Sequence, residues 1–91
     1  MNDIQLLPTS WEVKINDQTV RLTPNEFRLL ELLVKTRGQV VTRTLITDWL
    51  WPEKGDTSNS IEVLVYNVRR KLKRAGWTGI QTIPLNGYRI L

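Results

Sequence analysis

Between residues 59 and 77 the chain carries Arg69, Arg70, Lys71, Lys73 and Arg74 against a single acid, Glu62. Five cations less one anion leave +4, which is also the formal net charge of the whole chain, so everything outside this stretch is neutral. Positive charge gathered into one short segment is the electrostatic footprint expected for a polyanionic partner. The same segment has helical periodicity. At ~100° per residue, Ile61, Val65, Val68 and Leu72 fall on one side, flanked by Leu64 and Ala75. Asn59, Val63, Tyr66, Asn67, Arg70 and Arg74 occupy the opposite side. Arg69 and Lys73 lie on one flank, Ser60 and Lys71 on the other. Such a helix buries one face and offers guanidinium, amide and phenol donors on the other, the groups that hold phosphate oxygens and read base edges.

Other chemistries are poorly supplied. The chain has neither cysteine nor histidine, which excludes thiolate chemistry, the usual zinc ligand sets and histidine-dependent triads. Its nine acidic residues are scattered, with no D-x-D or E-x-x-E pair suited to a metal or to acid–base work. No catalytic residue, metal, cofactor or small-molecule substrate is therefore expected. The absence of cysteine fits the cytosol, and a cytoplasmic location is the expectation. Apolar runs such as Leu32–Val34 are only a few residues long and no signal peptide opens the chain, so no membrane segment is expected within it.

The elements that must position the basic helix can be read in order along 91 residues, a length that suits one domain. Residues 1–22 alternate: Trp11, Val13 and Ile15 point one way, Glu12 and Lys14 the other. Asn16-Asp17-Gln18 reads as a turn before Val20 and Leu22 resume the pattern, and Ile4–Leu7 adds a further strand. Thr23-Pro24-Asn25-Glu26 is a capping box with proline at the first helical position. It opens a helix over about 24–36 with Phe27, Leu29, Leu30, Leu33 and Val34 on its apolar stripe, ended by Gly38. Thr42 caps a second helix over about 43–50, whose Leu45, Ile46, Trp49 and Leu50 are apolar, and Pro52 stops it. The basic helix, about 59–75, begins after Ser58 or Thr57 and ends at Gly76. Residues 79–91 read as a hairpin of strands 80–83 and 88–91, turned at Pro84-Leu85-Asn86-Gly87 with Asn-Gly as the turn signal.

Sheet, three helices and hairpin in that order predict an α+β winged helix-turn-helix: an N-terminal antiparallel sheet, a three-helix core and a C-terminal β-hairpin wing beside the third helix. Trp11, Trp49, Trp51 and Trp77 are expected to pack within or between elements. The favoured function is sequence-specific binding of double-stranded DNA. The alternative is a protein–protein interaction module on the same scaffold, because a fold does not dictate its use.

The chain also resembles the winged-helix effector domains of OmpR/PhoB-type response regulators. The matching stretches are Leu22-Thr23-Pro24-Asn25-Glu26-Phe27-Arg28-Leu29-Leu30, Gly38-Gln39-Val40-Val41-Thr42-Arg43 and Trp51. The helix from Ser58 through Leu72 and the ending Asn86-Gly87-Tyr88-Arg89-Ile90 complete the set. The resemblance runs nearly the length of the chain, in order and with similar spacings. It implies transcriptional regulation in a two-component phosphorelay, usually behind a phosphorylated receiver domain, on direct-repeat DNA bound as a head-to-tail dimer. A stand-alone regulator and a membrane-anchored regulator of the ToxR/CadC kind are the alternatives that the resemblance leaves open. The loop Trp51, Pro52, Glu53, Lys54, Gly55, Asp56 to Thr57 would contact RNA polymerase.

The resemblance places Asn67 as a major-groove base reader, where an amide pairs with adenine, and Val63 beside it suits a thymine methyl. Tyr66 suits a phosphate or the sugar backbone, and Asn59 and Ser60 suit phosphates at a helix N-terminus. Arg70 and Arg74 would hold backbone or base edges, with Arg69 and Lys73 on phosphates, and Lys71 in solvent. In the wing, Asn86 and Arg89 complete the expected DNA-binding set. Two positions depart from the family. Pro84 and Leu85 stand where the wing commonly carries arginine and glycine, so no arginine reaches the minor groove from the tip. Leu64 replaces a polar residue and is expected to pack at the edge of the core.

Overall fold

The computed structural model describes residues 4–51 and 61–90. Strands β1 (Ile4–Leu7), β2 (Glu12–Ile15) and β3 (Gln18–Arg21) form an antiparallel meander. Val13 and Ile15 alternate inward and are fully buried, so the β2 register has only one workable phase. Trp11 departs from the expected alternation. Its backbone turns to φ 56 before the strand begins, and 43% of its surface stays exposed while its ring meets Phe27 edge-on at 5.6 Å.

Helix α1 (Pro24–Lys35) starts at the capping box: Thr23 Oγ1 accepts from the Glu26 amide at 3.3 Å, and the Thr23 amide donates to the Glu26 carboxylate at 2.9 Å. It buries Phe27, Leu29, Leu30 and Leu33. Helix α2 (Arg43–Leu50), capped by the Thr42 hydroxyl on the Leu45 amide, packs on α1 through Ile46 and Leu50. A reciprocal pair fixes the crossing. The Arg28 guanidinium donates to the Trp49 carbonyl at 2.7 Å, and the Trp49 indole donates to the Arg28 carbonyl at 2.8 Å. Pro52 lies outside the described residues.

Helix α3 (Ile61–Arg74) lays Ile61, Val65, Val68 and Leu72 into the core, with Leu64 half-buried at its edge. Val65, Val68 and Leu72 are at most 1% exposed, each stabilising the fold by roughly 2 kcal/mol. The helix ends in a Schellman arrangement: Trp77 N donates to the Leu72 carbonyl at 3.0 Å and Gly76 N to the Lys73 carbonyl at 2.9 Å, with Gly76 at φ 87. Trp77, the next residue, is buried in the same core cluster as Leu72. Alanine at Gly76 meets no neighbour but must adopt a left-handed backbone. Gly76→Ala is expected to lower stability by about 1 kcal/mol, read by urea denaturation.

The wing is β5 (Ile80–Ile83) with β6 (Gly87–Ile90). It gains a third strand, β4 (Val41–Thr42), in the order β4-β6-β5. The sequence pattern assigns no strand here, since two residues are too few to show one. The expected Asn-Gly turn is displaced. The Asn86 amide closes onto the Ile83 carbonyl at 3.0 Å, placing Pro84 and Leu85 at the centre, with Leu85 at φ 66. Gly87 is instead a strand residue pressed on β4: a Cβ there would sit 2.0 Å from the Val41 carbonyl oxygen. The Gly38 amide, donating to the Ile90 carbonyl at 2.6 Å, ties the end of α1 to β6. The molecule is therefore an α+β winged helix-turn-helix.

Candidate nucleic-acid interface

Anchored by its apolar stripe, α3 turns Val63, Tyr66, Arg70, Lys73 and Arg74 to solvent, and leaves Asn67 half-buried beside them. Val63 is 58% and Tyr66 62% exposed, unusual for side chains with no core to serve. The Arg70 guanidinium lies 5.8 Å from the Tyr66 ring centre, a cation–π contact that orders both groups without removing the charge. Among the described residues, no hydrogen bond or ion pair engages the Asn67 amide, Lys73 or Arg74. Asn59 and Ser60 lie outside the described residues, as do Pro52, Glu53, Lys54, Gly55 and Asp56. Trp51 ends α2 and packs half-buried against the core.

Three cations that the sequence assigns to DNA or solvent have internal partners. Arg69 does not reach outward: its guanidinium donates to the Ile80 carbonyl at 3.1 Å and to the Thr82 hydroxyl at 2.6 Å, and lies 5.8 Å from the Tyr88 ring centre. It clamps α3 to the wing. Lys71, expected in solvent, donates to Glu26 Oε1 at 2.6 Å, with the glutamate only 4% exposed. The pairing follows from burial, since a carboxylate taken out of water requires a counter-charge. Arg89 donates through Nε and Nη2 to the Gln81 side-chain oxygen, its cross-strand neighbour, at 3.2 and 2.9 Å. Asn86 is exposed at the wing tip, its amide on the Pro84 carbonyl at 3.3 Å.

One pair escaped the sequence reading. Glu62, the lone acid of the basic segment, forms an ion pair with Arg43 at the start of α2. Both are about half exposed, so the pair adds little stability, but it masks the single negative charge on the helix that carries the cations. The net arrangement is a convex helix face with exposed cations, one amide and one apolar group, beside a hairpin. Its groups can grip a polyanion and probe its surface. Among the described residues no cluster of three His, Cys, Asp or Glu side chains is placed to hold a metal, and no helix is long and apolar enough to cross a membrane.

Known proteins share this architecture. Residues 17–90 match the family model described as "Transcriptional regulatory protein, C terminal". The response regulator protein PmrA of Pseudomonas aeruginosa is 38% identical over 89 residues, which are 97% of this chain and 39% of PmrA. The chain thus spans about two-fifths of the length of such relatives. Among solved structures, the DNA-binding domain of CpxR from E. coli superposes with a TM-score of 0.78 at 31% identity, covering 96% of this chain and 88% of that one. The RstA DNA-binding domain of Klebsiella pneumoniae, in complex with the RstA box, superposes at 0.79 with 24% identity, covering 96% and 89%.

Proposed function

Because this chain belongs to the family of C-terminal domains of transcriptional regulatory proteins, the OmpR/PhoB-type effector domains, we propose a division of labour for its DNA-binding surface. As a member it is a sequence-specific DNA-binding domain of transcription regulation and not an enzyme. The observation that carries the residue assignment is the sorting of α3: Arg69 and Lys71 are held by the protein, while Arg70, Lys73 and Arg74 face outward. The outward cations grip phosphates on either side of the major groove. Asn67 reads adenine through its amide and Val63 meets a thymine methyl. Tyr66, steadied by Arg70, packs on the sugar-phosphate backbone. Arg69 is a positioning residue that sets the wing over the adjacent minor groove. Arg89 does the same within the wing by holding Gln81.

The wider setting is proposed from the same membership. The domain sits in the cytoplasm behind a receiver, binds direct repeats as a head-to-tail pair, and meets RNA polymerase through residues 51–56. Asn59 and Ser60 hold phosphates at the entry to the helix.

Fluorescence anisotropy on genomic fragments against random duplex tests the core of this reading. A preference at moderate salt is expected, and equal affinity for both would end it. Arg74→Ala is expected to weaken specific and random duplex by the same factor and to reduce the slope of log affinity against log salt by about 1. A loss confined to the specific duplex would move Arg74 from phosphate grip to base reading.

A further inference from the structure

The wing tip has a feature that the fold does not require. Leu85 is 105% exposed, touching nothing, and its backbone stands at φ 66 in the left-handed region. The turn accounts for the backbone, because Pro84 followed by a left-handed residue is the type II pattern, which closes the Asn86–Ile83 hydrogen bond. It does not explain a leucine. Glycine or asparagine would relieve the strain, and any polar side chain would suit the water around it. A residue that is unfavourable on both counts points to a use outside the folded chain.

The wing's charges narrow that use. Between residues 80 and 90 the one charged side chain is Arg89, and its guanidinium is held on Gln81. The tip itself is Pro84, Leu85 and Asn86, with the asparagine amide turned onto the Pro84 carbonyl. A hairpin so equipped has no cation to place in a groove of negative potential. It has an exposed apolar knob on a stiff, proline-initiated turn.

We propose that Leu85 is a specificity-determining residue that enters the minor groove and packs on its walls and floor, selecting against guanine. This rests on the reading of the wing as lying over the minor groove. The selection follows from the groove's chemistry. A G·C pair places the guanine N2 amino group on the minor-groove floor, whereas A·T pairs leave the floor clear of it. The amino group blocks the side chain and loses its water to a leucine that accepts no hydrogen bond. Apolar side chains are among those that minor-groove proteins insert in this way.

The test uses the full chain and the tightest duplex recovered from a random-sequence library, with the pairs beneath the wing set to A·T, G·C or inosine·cytosine. Inosine lacks the N2 amino group and keeps the purine oxygen and nitrogen of the major groove. The wild type should bind A·T and inosine·cytosine flanks alike and the G·C flank about tenfold more weakly, the worth of a partly buried leucine. Leu85→Gly should bind all three as the wild type binds G·C, and should melt no lower than the wild type because it relieves the left-handed strain. Leu85→Arg should raise the salt slope by about 1. Equal wild-type affinity for all three flanks, or a preference that survives in Leu85→Gly, overturns the proposal while leaving DNA binding intact. A library that yields no preferred duplex overturns the DNA-binding reading and this one with it.

Discussion

Lys71→Met is expected to lower the stability of the domain by about 3 kcal/mol, near the lower end of the range for breaking a buried ion pair. For a domain of this size that is a fall in Tm on the order of 15 °C. The substitution keeps the length of the side chain and removes its charge. What remains is the Glu26 carboxylate, 4% exposed, with the Thr23 amide still donating to it but no cation beside it. Lys71 itself is 29% exposed along its side chain, so water relieves part of the loss and keeps the figure from rising further. The double variant Glu26→Gln, Lys71→Met should recover much of the stability. Glutamine serves a capping box as well as glutamate does, and a neutral pair leaves no charge stranded. Thermal melts of the four members of this cycle decide the matter, and a double variant no more stable than Lys71→Met would remove the stranded carboxylate as the cause. Below its melting range, Lys71→Met should hold DNA within about twofold of the wild type, since its charge is paired and screened.

Asn67→Ala is expected to act on discrimination and leave the fold intact. An amide that pairs with an adenine edge contributes about 2 kcal/mol of preference at that base pair, or roughly thirtyfold in relative affinity. Competition titrations with all four base pairs at each operator position should show the preference collapse at one position and persist elsewhere. Affinity for random duplex should not change. A uniform loss across all duplexes would assign Asn67 to the backbone. The half-buried seat of this residue on α3 favours reading over grip: its neighbours limit its rotamers, and no hydrogen bond among the described residues occupies its amide.

The chain order and the faces of α1 and α3 are legible without coordinates because they depend on neighbours a few residues away. Thr23 and Glu26 declare a helix start by their spacing, and Ile61, Val65, Val68 and Leu72 declare a buried face by theirs. Other features depend on what distant segments do. Lys71 pairs with a glutamate 45 residues away, and Arg69 with a strand whose position no local pattern specifies. Both look like surface cations on a helical wheel, which shows direction but not what lies there. The wing turn misled for a different reason. Asn86-Gly87 is a strong local turn pair, but Gly87 is needed where β6 presses against the Val41 carbonyl, and the turn moved to Pro84 and Leu85. Trp11 left its strand face because a left-handed backbone precedes β2, something an alternation of residue types does not reveal.

The clamp made by Arg69 bears on how long a complex lasts. Its bonds to Ile80 and Thr82 bind the reading helix and the hairpin into one stiff body, so neither has to be ordered when DNA arrives, and neither can let go alone. In the proposed docking, departure from the duplex would require both grooves to empty in a single event. Loosening the clamp would allow the two parts to peel off in turn and would shorten the residence time even with every DNA-facing side chain unchanged.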